Sequence, residues 1–248
     1  MPQSAELVNF VCGELRRAAD PSRAPAMAAY MKTSQPFYGV AAPQVHVIAK
    51  VACQRFLPAN PTQYRRNVLA LWRQPHREAR YAAIEYAAQR EFQTPESMPL
   101  YERMIREGAW WDLVDNIAST LVGLAYLDHR AAIRPMLDRW IEDPDLWIRR
   151  AAILAQLRHK RETDSAQLFR YCLKCSAERE FFIRKAIGWA LRAYSYSEPT
   201  KVKAFLLKNR HTLSPFSLRE GAKQLIRVGR LPSDFGPKAT PHSSRGRQ

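Results

Sequence analysis

Ile148-Arg149-Arg150-Ala151-Ala152-Ile153-Leu154 is the stretch that decides the fold. Its apolar residues recur three and four apart, the period of a helix with one buried stripe, and its alanines sit where a neighbouring helix can approach closely. It follows Met136-Leu137-Asp138-Arg139-Trp140 across the Asp143-Pro144 break. The same order, a bulky helix and then a partner with small residues, recurs on both sides. Arg66-Asn67-Val68-Leu69-Ala70-Leu71-Trp72 precedes Glu78-Ala79-Arg80-Tyr81-Ala82-Ala83-Ile84, and Leu168-Phe169-Arg170-Tyr171-Cys172 precedes Phe182-Ile183-Arg184-Lys185-Ala186-Ile187-Gly188-Trp189. A half-buried strand needs apolar and polar residues in alternation, and no segment alternates convincingly. The chain is predicted to be all-α.

Periodicity places helices over 4–19, 22–33, 44–57, 61–74, 77–91, 98–108, 111–125, 130–142, 146–160, 164–176, 180–196, 198–209 and 216–229. Prolines such as Pro43, Pro61, Pro144 and Pro199 mark starts, because proline suits a first turn and breaks a helix interior. The small-residue partners return about every 35–70 residues, which fits HEAT-like antiparallel helix pairs with one irregular unit. Stacked pairs predict a superhelical solenoid over residues 1–230, its concave face carrying Asp115, Arg150 and Trp189. The segment 231–248, rich in proline, serine, glycine and basic residues, is expected to be a disordered tail.

At 248 residues the chain can bury a sizeable core, and its scarcity of glycine, none over residues 40–107, argues against turn-rich β architectures. The formal net charge of +16 predicts a polyanionic partner. Basic residues crowd the span from Asp145 to Arg192, including Arg149, Arg150, Arg158, Arg184 and Arg192, so the C-terminal half is the expected phosphate-binding half. No run of about 18 apolar residues suggests a membrane span, and the N-terminus lacks a signal-peptide pattern. A cytoplasmic protein, acting as a monomer, is expected. Cys172 and Cys175 form an isolated C-x-x-C with no second pair or nearby histidine, so they are read as small apolar residues and no metal or cofactor is expected.

The chemistry concentrates in Trp110-Trp111-Asp112-Leu113-Val114-Asp115. On a helix Trp111 and Asp115, four apart, share a face, which would offer a cation or sugar an indole and a carboxylate together. Asp112 is read as a cap or first-turn carboxylate favoured by the helix dipole. Trp110, Trp72, Trp140 and Trp147 are read as packing residues.

Taken together, these motifs resemble the DNA alkylation repair glycosylases of the AlkD type, which are HEAT-like solenoids. The resemblance runs to about Val228 and rests on Tyr30-Met31-Lys32, Phe37-Tyr38-Gly39-Val40, the tryptophan–aspartate segment, the stretch from Leu146 to Leu154, the stretch from Glu180 to Arg192, and Leu213-Ser214-Pro215-Phe216-Ser217-Leu218-Arg219-Glu220. It implies that Trp111 and Trp189 are the active-site tryptophans, Asp115 the catalytic carboxylate and Arg150 the phosphate-binding arginine. Arg149, Arg158, Arg192 and Tyr30 join Arg150 as candidate DNA contacts. Two positions depart from the pattern: Ala41 replaces a polar residue, and Arg158 a lysine. The implied activity is hydrolysis of the glycosidic bond of cationic alkylpurines in duplex DNA, with no cofactor. A non-catalytic HEAT-like DNA-binding or scaffold module is the alternative. No lysine is evidently placed for Schiff-base chemistry, so strand cleavage is not expected.

Overall fold

The computed structural model describes residues 2–236. Among these residues the regular structure is helical and no strand occurs, as the periodicity predicts. The chain divides into two compact units, Met1–Ala125 and Tyr126–Gln248.

In the first unit α1 (Pro2–Arg17), α3 (Ala42–Arg55), α4 (Pro61–Trp72) and α5 (Arg77–Ala87) pack together, with α5 touching the other three. Small side chains permit that central position: Ala79, Ala82, Ala83 and Ala87 are fully buried along α5. The linking helix α2 (Ala24–Met31) buries none of its residues, apolar though it is. Next come α6 (Met98–Gly108) and α7 (Trp111–Asn116). Gly108 lets the end of α6 lie against Trp72, since a Cβ there would stand 3.2 Å from the indole. Trp72 is buried and donates its Nε1–H to Glu107 at 2.9 Å, so it is the packing residue expected.

The segment 111–125 is not one regular helix. It passes from α7 into a π-helical stretch, Ile117–Val122, and then into α8 (Gly123–Asp128). Side chains occupy backbone acceptors across this widened turn: the Ser119 hydroxyl donates to the Asp115 carbonyl at 2.8 Å.

In the second unit α10 (Leu146–Leu154) touches α9 (Arg130–Trp140), α11 (Ser165–Lys174) and α12 (Phe181–Ser195). In turn α12 packs on α13 (Pro199–Lys208) and most extensively on α14 (Pro215–Arg227). The closeness of that last pair depends on Gly188, where a Cβ would meet the Glu220 Cβ at 2.4 Å. Ala151, Ala152, Ala186 and Ala190 are buried where the sequence pattern places close approaches, and Trp140 and Trp147 are buried in the core. Caps begin the helices: Asp145 accepts from the Trp147 N–H at 2.9 Å and Asp164 from the Gln167 N–H at 3.0 Å. Pro61, Pro199 and Pro215 occupy first helical positions.

Several expected helices are shorter than their patterns suggest, 146–160 most of all. The run 146–160 stops at Leu154, and the buried side chain of Gln156, just beyond, accepts from the Asp164 N–H at 2.7 Å. From residue 237 onward the expected tail lies outside the described residues. No helix among the described residues is long and apolar enough to cross a membrane.

Candidate nucleic-acid interface

The first unit builds its site on the N-terminus of α5. Glu78 is fully buried there, and its carboxylate accepts the N–H groups of Tyr38, Gly39 and Val40 at 3.0, 2.9 and 3.1 Å. These bonds satisfy a charge that burial would otherwise penalise heavily. Gly39 has a φ of +86°, and a Cβ on it would fall 2.0 Å from the Asp20 carbonyl oxygen, so only glycine fits. His76 stacks on Tyr38 with ring centroids 3.7 Å apart. The Phe37-Tyr38-Gly39-Val40 motif is thus a loop clamped to α5. Ala41, one of the departures from the family pattern, is the N-cap of α3 and supplies no side-chain cap.

Arg77, beside Glu78, ties α5 to α7. Its Nε and Nη2 donate to the two carboxylate oxygens of Asp112 at 2.8 and 2.5 Å, and the Tyr81 hydroxyl donates to the same carboxylate at 2.5 Å. The remaining Arg77 arm reaches Gln35 Oε1 at 2.9 Å, linking the loop after α2 to this cluster. The arginine and aspartate side chains are only 4% and 6% exposed. Burial alone would lower the Arg77 guanidinium, but the hydrogen bond and charge of Asp112 raise it above its ordinary value. Burial and the neighbouring carboxylate push the Tyr81 hydroxyl far up, which keeps it a donor. Asp112 stands in the first turn of α7, as expected, and is in addition a buried ion-pair partner of Arg77.

This cluster fixes the start of α7. Ala109, at φ +31°, turns the chain sharply after α6, and Trp110 is extended at the N-cap, so the face of α7 begins with Trp111. Trp111 and Asp115 lie four apart within the α-helical turn, just before the π-helical stretch, and therefore share a face. Both are half-buried. Tyr30, 73% exposed at the end of α2, meets the Trp111 ring edge-on with centroids 6.3 Å apart. Three of the sequence-predicted residues, Tyr30, Trp111 and Asp115, thus belong to one unit, and the first two are in ring contact.

The other candidates fall in the second unit. Arg149 is held in a bidentate pair by Glu178, at 3.0 and 2.7 Å, and also donates to the Asp143 and Pro144 carbonyls. Arg150 is 1% exposed, donates to the Phe182 carbonyl and places its guanidinium 5.7 Å from the Phe182 ring. Arg158, Trp189 and Arg192 line one cavity, together with Lys160, Tyr196 and Arg227. Arg192 is paired with Glu220 at 2.9 Å. Sequence reading singled out none of Arg77, Glu78, Tyr81 or Tyr196. Charged residues in the first turn of the alanine-rich α5 were the available signal for the first two, since small side chains at helical period mark a helix that neighbours approach closely.

This site stands in an all-helical chain that belongs to the DNA alkylation repair enzyme family, whose model matches residues 11–225. That family fits the AlkD-type resemblance of the motifs. Among solved structures, the chain is similar to one described as a "Predicted DNA alkylation repair enzyme from Enterococcus faecalis". The two are 29% identical with a TM-score of 0.77, over 84% of this chain and 96% of that one. A search of curated proteins gives no match.

Proposed function

We propose that this chain is a monofunctional DNA glycosylase that hydrolyses the N-glycosidic bond of cationic alkylpurines, of the 7-methylguanine and 3-methyladenine type, in duplex DNA. The observation that carries the reading is the face of α7, where Trp111, in contact with the exposed Tyr30, stands one turn from Asp115. A purine alkylated at N7 or N3 is already positively charged. When its bond to C1′ breaks, the electron pair moves to the base, which leaves neutral and needs no proton from the protein. The pair of carboxylates that ordinary glycoside hydrolysis uses is therefore unnecessary. One ionised carboxylate, Asp115, stabilises the oxocarbenium-like sugar and orients the water whose oxygen bonds to C1′. The proton released from that water passes to Asp115 or to solvent. The indole face of Trp111 favours the cationic sugar by cation–π attraction, about 1–2 kcal/mol where water is excluded, and Trp189 offers the DNA a second indole.

Phosphates are assigned to Arg158 and Arg192, which line the basic cavity, with Tyr30 as a further strand contact; Arg150, buried and donating to the Phe182 carbonyl, reaches a phosphate only by coming away from that carbonyl. Arg149 joins them only by loosening its hold on Glu178. The product is an abasic site in an intact strand. The enzyme acts as a cytoplasmic monomer and uses no cofactor.

The test is base release from DNA carrying 7-methylguanine. The wild type is expected to free the methylated base. Asp115→Asn should release it at least ~10²-fold more slowly, the scale of losing one transition-state electrostatic contact, while duplex affinity is retained. DNA containing uracil, a neutral base, should be left intact. Equal release by wild type and Asp115→Asn, or none by the wild type, would overturn the assignment and favour a non-catalytic DNA-binding module.

A further inference from the structure

A cavity of about 940 Å³ opens in the second unit. Arg158 and Lys160 reach it from the loop after α10, Lys223 and Arg227 from α14, and Trp189 and Tyr196 from α12 and its C-cap. Among the described residues no carboxylate lines it. Glu220 lies close by and pairs with both Arg192 and Lys223, one negative charge against two positive. Tyr196 is 62% exposed, an unusual position for a large aromatic ring, and the Arg227 guanidinium lies 5.9 Å from its centroid. Lys160 adopts a left-handed backbone with φ +53°, a conformation that lysine seldom takes.

We propose that this cavity binds unpaired nucleotides of a DNA strand, with phosphates on Arg158, Lys160, Lys223 and Arg227 and a base stacked on Tyr196. Cations alone would suit any polyanion and leave the aromatic rings without a purpose. Rings alone would suit an apolar ligand and leave the cations opposed. A duplex keeps its base faces stacked on each other, so it can offer this cavity phosphates but no free base face. An unpaired strand offers both phosphates and free base faces, and base–aromatic stacking with a basic groove is the general mode of sequence-tolerant single-strand binding. The inference takes DNA as the partner but involves no bond breaking, so it goes beyond the glycosylase reading.

The test measures fluorescence anisotropy of the full chain with three labelled probes: a thymidine decamer, an abasic decamer of the same phosphate number, and a blunt duplex. Wild type should bind the thymidine decamer more tightly than the abasic one. Tyr196→Ala should weaken the thymidine decamer about tenfold, within the range for one stacked base, and leave the abasic decamer and the duplex unchanged. Lys223→Gln with Arg227→Gln should weaken both decamers and steepen neither's salt dependence. Equal affinity for thymidine and abasic decamers in the wild type, or a Tyr196→Ala variant that binds thymidine as the wild type does, would overturn the proposal. Base release from methylated duplex should persist in Tyr196→Ala. Loss of stacking with release intact removes only the second site, whereas absent release with stacking intact removes only the glycosylase.

Discussion

Replacing Asp112 by asparagine keeps the side-chain volume and removes the charge that holds Arg77. Both side chains are almost wholly enclosed, at 4% and 6% exposure, so neither water nor a counterion can take the carboxylate's place. Three donors converge on it, two from Arg77 and one from Tyr81. An asparagine amide would turn one acceptor into a donor facing donors. Breaking one side of a buried pair destabilises by about 3–5 kcal/mol, because the other charge stays buried and uncompensated. With roughly 2–4 °C per kcal/mol for a chain of this size, the melting transition should fall by about 6–20 °C. An exposed first-turn carboxylate facing the helix dipole would contribute only ~0.3–1 kcal/mol, so the two readings of Asp112 are well separated. Thermal and urea unfolding of the full chain, followed by circular dichroism, measures the difference. Arg77→Met with Asp112→Leu removes both charges and should recover most of the loss. A stability change below about 1 kcal/mol in Asp112→Asn would refute the argument, as would a double variant no more stable than the single one.

Two further outcomes follow from the second unit. Gly188→Ala should destabilise by about 1–3 kcal/mol in a thermal melt, since the new methyl would press on the Glu220 Cβ and this strain exceeds the helix-propensity gain of up to ~1 kcal/mol; a raised melting temperature would contradict the close approach of α12 and α14. Burial works to raise the Asp164 carboxyl, but the Gln167 N–H and the Arg134 guanidinium outweigh it and hold it below its ordinary value. A depressed folded pKa contributes stability that is complete above the unfolded value and is lost as pH falls through the folded one. Asp164→Asn should therefore be less stable than the wild type at neutral pH, with the gap closing in acid. A gap that stays as wide at about pH 2 as at neutral pH would count against that linkage.

Asp112 and Asp115 mark where sequence reading works and where it stops. Helical periodicity places both on α7 and pairs Asp115 with Trp111 on one face, and that relation depends only on residues four apart. The same is true of the alanine stripes in α5, α10 and α12, which are legible because close packing demands small side chains at a fixed period. The partner of Asp112 is not legible in this way. Arg77 lies 35 positions away and meets Asp112 only when α5 has packed beside α7. Nothing in the local pattern separates a carboxylate that will be buried against an arginine from one left half-exposed beside an indole. The π-helical stretch was hidden for a related reason. Ile117–Val122 has ordinary helical periodicity, and its widened turn is visible only in the backbone hydrogen bonds. These two features together set the geometry of the proposed catalytic carboxylate. The Arg77–Asp112 pair fixes the first turn of α7, and the π-helical stretch begins two residues after Asp115. A site residue can thus be named from local sequence, whereas the residues that aim it are set by packing between elements far apart in the chain.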